Sequence, residues 1–419
     1  MNKETECLHG GYRAKNGEPL ALPIYQSTTY RYESTEHVGK LFDLAVPGHM
    51  YSRISNPTVE LVEKKMAQLE GGVGAVLTSS GQSAVFLSLV NILGAGDHFI
   101  ASSKIYGGTV NLFAVTMKRL GIECTFVDEE ADEETLQRAF RPNTKAVFGE
   151  TLANPALTVC DIEKFARVAH RNGVPLIIDN TFPTPVLCRP FEFGADIVVH
   201  STTKYLDGHA VVVGGCVVDS GKFDWSGYEG LSRPDESYHG LVYTEAFGES
   251  AYITKLRVQL VRDFGVLMSA QSAFLLDLGI QTLALRMERH SRNAEKVAQA
   301  LEKHRNVEFV NYPALESSPS HALALKYLPN GCAGVISFSV AGSRERAIKF
   351  MDGLKLASNC VHVADVRTLV LHPASATHRQ LTDEQLVAAG ITPGLVRLSV
   401  GIENVEDILE DVIGSLDRV

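Results

Sequence analysis

The chain has 419 residues, 45% of them hydrophobic and 21% charged, the balance of an ordinary soluble globular protein too long for one small core. A net charge of −10 with no basic stripe argues against a nucleic-acid binder. No apolar leader or bilayer-length stretch is present, and seven dispersed cysteines without a CxxC pair suit reduced thiols rather than a disulfide frame or zinc site, so a cytoplasmic protein with no membrane partner and no metal is expected.

Residues 1–55 are rich in Gly, Pro, Tyr and Ser/Thr and lack long periodicity. Such an arm has little core of its own and must lie on something else, such as another subunit. The pattern turns regular at Asn56, which can cap a helix, with Pro57 at its first position and Gly71-Gly72 to close it. Strands are then expected at 75–78, 98–101, 124–127, 145–149, 176–178 and 197–199, alternating with helices at 82–93, 109–120, 133–140 and 162–172. Repeated βα units of this length imply a largely parallel sheet covered by helices on both faces. The rhythm breaks at 219–262, a polar insertion carrying Trp225. A long helical region, 271–304, has a possible bend at Gly279-Ile280. Strands at 334–340 and 395–400 mixed with helices at 344–353, 383–389 and 404–416 form a second, smaller α/β domain. The expected division is 1–55 (arm), 56–262 (main domain with its insertion) and 263–419 (C-terminal domain).

Four places invite chemistry. The β-branched run Ile197 to Val199 leaves its strand through Ser201 and Thr203 and places Lys204 immediately after them, which suits a phosphate held by O–H donors beside a reactive amine. Ser79-Ser80-Gly81-Gln82-Ser83 lies at a strand-to-helix turn, where free N–H groups and the helix dipole attract a phosphate. Asp179 ends a strand where ligands gather in parallel sheets, and Tyr106 could stack on a flat ring. Taken singly, each has a plain alternative: a surface lysine, a turn, a turn residue, a packing aromatic. Gly94-Ala-Gly96 lacks the third glycine of a dinucleotide fingerprint, and neither GxxxxGK[ST] nor HExxH occurs.

Together the segments resemble the pyridoxal-phosphate (PLP) enzymes of cysteine and methionine metabolism, the transsulfuration family. The resemblance rests on Tyr51-Ser-Arg53 with Asn56-Pro57, Ser79-Ser-Gly81, Tyr106-Gly107, Glu150 with Asn154-Pro155, Asp179-Asn-Thr181 and Ser201-Thr-Thr-Lys-Tyr205. His372-Pro-Ala-Ser375 with Thr377-His378 and Arg397-Leu-Ser-Val-Gly-Ile-Glu403 complete the order. It implies an α/β fold, the type I PLP-transferase fold with a mostly parallel seven-stranded sheet. It also implies that Lys204 forms the Schiff base with PLP and carries protons, Asp179 pairs with the pyridine nitrogen, Tyr106 stacks on the ring and Asn154 meets O3′. The phosphate falls to Ser80, Gly81, Gln82, Ser201 and Thr203, with Tyr51 and Arg53 reaching a neighbouring subunit's site in a homotetramer built as two dimers. Arg397 takes the substrate carboxylate, and Thr368 and Tyr51 also border the substrate.

The insertion with Gly221-Lys-Phe-Asp-Trp225 and Leu285-Arg-Met-Glu-Arg-His290 resemble the branch that joins O-acetyl-L-homoserine to sulfide or methanethiol by γ-replacement. Methionine γ-lyases usually carry a cysteine where Gly108 stands. Methionine γ-lyase, cystathionine γ-synthase or lyase chemistry and an O-succinyl ester are the alternatives. Ser269-Ala-Gln271 and Val363-Ala-Asp-Val-Arg367 depart from the usual branch pattern, the second beside the substrate.

Overall fold

The structure, a computed structural model, describes residues 1–376 and 392–419. Two short helices, α1 (Lys3–His9) and α2 (Thr35–Phe42), precede α3 (Pro57–Glu70), where Asn56 Oδ1 accepts the Thr58 amide at 3.0 Å. The strands β1 (Gly74–Thr78), β2 (His98–Ser102), β3 (Glu123–Val127), β4 (Thr144–Glu150), β5 (Leu176–Asp179), β6 (Ile197–His200) and β7 (Gly215–Asp219) form one seven-stranded sheet. Its order is β1-β7-β6-β5-β4-β2-β3, parallel except that β7 runs antiparallel to both β1 and β6. The helices α4 (Gly81–Val90), α5 (Gly107–Asn111), α6 (Glu133–Arg138) and α7 (Ile162–Arg171) fall between these strands.

Because side chains alternate along a strand, each apolar run feeds two cores. Ile178, Val198 and Val218 join one buried cluster, while Ile177, Val199 and Val217 join another. The insertion covers the second cluster: Trp225 stacks on Tyr252 with ring centroids 4.8 Å apart, and Tyr228 donates to the Lys145 carbonyl at 2.6 Å.

Four local expectations change. Residues 1–55 are not coreless throughout, since Cys7 is wholly buried and α1 packs on α3. The helix expected at 109–120 is α5 running into a wider π-helical turn, Leu112–Met117, which buries Phe113 edge-on against Phe99 and Phe148. The long helical region is two helices, Ala270–Gln281 and Leu283–Glu302, divided at Thr282 rather than at Gly279. Gly279 stays helical, and a Cβ there would lie 2.5 Å from the Asp207 carbonyl. Strand β7 was not anticipated as a separate element.

A second sheet, β8 (Val307–Asn311), β9 (Val335–Val340), β10 (Ser358–Asn359), β11 (Leu369–Leu371) and β12 (Leu395–Ser399), has the order β10-β11-β12-β9-β8. It is flanked by helices Arg344–Asp352 and Val405–Leu416. A buried ion pair, Lys65–Asp277 at 2.5 Å, ties α3 to the helix that leads toward it. The helix expected at 383–389 and the pair Thr377-His378 lie outside the described residues. No helix among the described residues is long and apolar enough to cross a membrane.

Candidate active site

The lysine turn is fixed from below. Tyr205 is fully buried, its hydroxyl accepts the Gly334 amide at 2.9 Å and its carbonyl accepts Arg286 Nη1 at 2.7 Å. Lys204 stands half-buried above this anchor, and its Nζ makes no hydrogen bond or ion pair among the described residues. Burial, aided by the positive charge of Arg397, lowers its pKa to about 8.

Beside it, Ser80 caps α4, its Oγ accepting the Ser83 amide at 3.1 Å. The Gly81 and Gln82 amides have no protein acceptor among the described residues, as first-turn donors do, and they sit at the positive end of the helix. A Cβ on Gly81 would meet Ser201 Cβ at 2.6 Å and Oγ at 2.9 Å, so only glycine lets the helix end approach the Ser201 hydroxyl. Thr203 is placed differently. Its hydroxyl donates to the Gly214 carbonyl at 3.2 Å and accepts the Gly214 amide at 3.0 Å, closing the loop behind the lysine.

Asp179, at the carboxyl end of β5, accepts both the amide of Thr181 at 3.0 Å and its hydroxyl at 2.5 Å. The same hydroxyl accepts the Ser201 amide at 2.8 Å. One threonine therefore joins the carboxylate to the phosphate-binding end, a link that the Asp-x-Thr spacing could have signalled as a side-chain-to-backbone turn. Glu150 stands in register with Asp179 on β4, and its Oε2 accepts the Tyr106 amide at 2.8 Å. Burial pushes both carboxyls up, and the Asp179 charge pushes Glu150 further; the Thr181 donors and His200 hold Asp179 down. Of this coupled pair, Glu150 is the one raised further above the usual carboxylate range. Behind them Glu70 Oε1 bridges His200 Nε2 at 2.7 Å and Asn180 Nδ2 at 3.0 Å, tying the ends of β5 and β6 to α3.

Tyr106 is 51% exposed over this floor. A Cβ on Gly108 would stand 2.5 Å from the Tyr106 ring and 2.8 Å from Gln82 Nε2. Arg397 of β12 brings the second sheet to the first: its Nη1 reaches Asn154 Oδ1 at 3.5 Å, and Nη2 donates to the Val361 carbonyl at 3.0 Å. Burial lowers its pKa to about 10. Thr368 is buried away from this contact, its amide and hydroxyl both donating to Glu403, at 2.6 and 2.9 Å. Tyr51 and Arg53 also stand apart. The guanidinium lies 5.6 Å from the Tyr51 ring centroid and reaches the Arg262 carbonyl, with no bond to the Gly81 or Ser201 side.

The fit to PLP is physical: unpaired amides and a free hydroxyl for a phosphate, a buried carboxylate for a ring nitrogen, and an unpaired amine for an aldehyde. Residues 4–417 match the family of Cys/Met metabolism PLP-dependent enzymes. The chain belongs to this family.

Among its relatives, an O-acetyl-L-homoserine sulfhydrylase of Leptospira meyeri is 46% identical, over 99% of this chain and 97% of its own. A homocysteine synthase of Schizosaccharomyces pombe is also 46% identical, over 99% and 98%. A solved structure from Campylobacter jejuni, assigned as an O-acetylhomoserine (thiol)-lyase and carrying N′-pyridoxyl-lysine-5′-monophosphate, is 38% identical with a TM-score of 0.95 over 100% of both chains. Like the rest of the family, this chain is a PLP-dependent enzyme of the type I α/β fold.

Proposed function

We propose that the enzyme catalyses γ-replacement on O-acetyl-L-homoserine, taking sulfide or a small thiol and giving homocysteine, or methionine from methanethiol, plus acetate. The observation that carries this reading is the Lys204 amine, unpaired and with a pKa of about 8, set beside the Arg397 guanidinium. Bound PLP supplies an electron sink for negative charge on the substrate carbons. The chain supplies the rest. Lys204 gains and loses protons near neutral pH, as replacement at Cγ requires of a group that must both take and return them. Arg397 offers a two-pronged fork to the α-carboxylate. Asp179, held by the two Thr181 donors, faces the ring nitrogen; Tyr106 covers the ring and Asn154 its O3′. The Gly81 and Gln82 amides and the Ser201 hydroxyl hold the phosphate, while Ser80 and Thr203 hold the segments that present them. Full-length relatives named for this reaction and Gly108 beside Tyr106 favour the ester over methionine as substrate.

The reading divides the chain into an arm (1–55), a PLP-binding domain (56–262) and a C-terminal domain (263–419), in a cytoplasmic homotetramer of two dimers. Tyr51 and Arg53 then complete the phosphate site of a neighbouring subunit, with Tyr51 near the substrate. Exposed apolar side chains support such an assembly, among them Leu20 at 91% and Val213, beyond the lysine loop, at 68%. Mixing inactive Arg53→Ala with inactive Lys204→Ala protein is expected to restore part of the activity; no recovery despite subunit exchange refutes the shared site. For the reaction itself, homocysteine formation from ester and sulfide is measured beside 2-oxobutanoate release from methionine. Faster 2-oxobutanoate release overturns the assignment.

A further inference from the structure

The segment that follows β10 brings one more group to Lys204. The carbonyls of Val361 and His362 both accept Arg397 Nη2, at 3.0 and 3.3 Å. The His362 ring is thereby held beside the carboxylate clamp. Its Nε2 is buried and has no hydrogen-bond partner among the described residues. A buried ring nitrogen left without a partner costs stability, so such an atom calls for a function.

The charges around it are mixed but unevenly available. Lys204 and Arg397 face the ring as cations, and Asp365 and Asp207 as carboxylates. Asp365 is already gripped by Arg367, at 2.7 and 2.9 Å, whereas Asp207 accepts the Val211 amide through Oδ2 at 3.0 Å and keeps a buried Oδ1 without a partner among the described residues. Burial first, then the Lys204 charge, holds the imidazole below its ordinary 6.5, so it is a neutral ring at neutral pH.

We infer that His362 is a catalytic residue of the second half of the reaction, accepting the S–H proton of the incoming sulfur nucleophile. The inference rests on the γ-replacement reading. In the step, the sulfur forms its bond to the substrate Cγ as the S–H bond breaks, and the proton passes to Nε2. The electron pair displaced onto the substrate skeleton takes a proton from Lys204, and the imidazolium returns its own proton to water. With acetate departing earlier, no oxidant or reductant is needed. The timing follows from charge: an imidazolium facing the Lys204 and Arg397 charges is disfavoured until a substrate carboxylate neutralises Arg397. His362 is therefore a better base with the amino acid bound than without it.

The test compares nucleophiles of different acidity. Methanethiol, a weaker acid than a cysteine side chain of pKa about 8.5, arrives almost wholly protonated at neutral pH and needs a base, whereas sulfide, the stronger acid, is already partly ionised. With His362→Gln, capture of methanethiol is expected to fall about 100-fold and that of sulfide less than about 10-fold, with acetate release unchanged and more of the ester diverted to 2-oxobutanoate. Thiol capture by the wild type should level off once the imidazole is neutral, below pH 6.5, whereas in the variant it should keep climbing with the thiolate fraction. In the cofactor-free protein, the ring-15N histidine signal lost in His362→Gln should titrate below 6.5. Equal losses for both nucleophiles with a parallel loss of acetate release, no loss at all, or a signal titrating at or above 6.5 each overturn the inference. If the wild type makes no homocysteine, the replacement reading itself fails and this inference falls with it. If the wild type makes homocysteine and the variant does so with unaltered thiol dependence, only the role of His362 fails.

Discussion

The lowered pKa of Lys204 has a direct consequence for how the enzyme acquires its cofactor. Only a free amine attacks an aldehyde, so the capture rate follows the unprotonated fraction of Lys204. At pH 7 a lysine of pKa about 8 is about 10% free amine, against about 0.03% for one at the ordinary 10.5, an advantage of roughly 300-fold. The sign is set by burial and by Arg397, both of which disfavour the ammonium. Cofactor-free protein mixed with PLP and followed by visible absorbance should therefore capture it about tenfold faster per pH unit up to about pH 8, then level off. Arg397→Gln should move the inflection upward only slightly, because burial is the larger cause. A rate that keeps climbing beyond about pH 9.5 would mean that Lys204 is an ordinary lysine, and the reasoning fails.

Thr181→Val removes the hydroxyl that serves both Asp179 and the Ser201 amide, and should weaken PLP binding about 10- to 100-fold in an equilibrium titration of cofactor-free protein. Unchanged binding would show that the link is incidental. Gly108→Ala should push the Tyr106 ring aside, shifting the bound cofactor's absorption and lowering kcat about tenfold, with the fold intact by circular dichroism. An unchanged spectrum and rate would mean that the ring has room to spare. Trp225→Ala should cost about 3–5 kcal/mol in denaturant unfolding, because a buried ring stacked on Tyr252 leaves a cavity. A loss below about 1 kcal/mol would make the insertion a loose cover.

Much of the main sheet was legible because its signals are local. Asn56-Pro57 starts a helix by capping chemistry, and runs such as Pro175-Leu-Ile-Ile178 can only be buried strands. What was not legible depends on residues far apart in sequence. Cys7 looks like one thiol in a patternless arm, and only the packing of α1 on α3 and on the helix Leu283–Glu302 buries it. The break at Thr282 yields to tertiary packing, with Gly279 pressed on the 206–207 backbone. At the candidate site, the residue types that bear chemistry were visible, but not how their polar atoms are spent. Thr203 and Thr368 read as ligand contacts, yet their hydroxyls are engaged by Gly214 and Glu403. Beyond the Asp-x-Thr spacing, Thr181 and His362 carry no sequence signal of their roles, although one joins Asp179 to Ser201 and the other presents a nitrogen without a partner among the described residues.

The antiparallel strand β7 also bears on how the protein is made. Among the described residues it is the only partner strand of β1, and it is translated after the whole βα series and after Lys204 itself. At ~5–20 residues per second, a ribosome needs on the order of ten seconds to pass from Thr78 to Gly215. Throughout that interval the apolar ribbon Ala75-Val-Leu77 has no strand to pair with, and α3, which packs on it, is the cover already synthesised. A nascent chain stalled before Gly215 would thus display an open hydrophobic edge to chaperones, whereas one stalled after Asp219 would already have closed the sheet around its lysine loop.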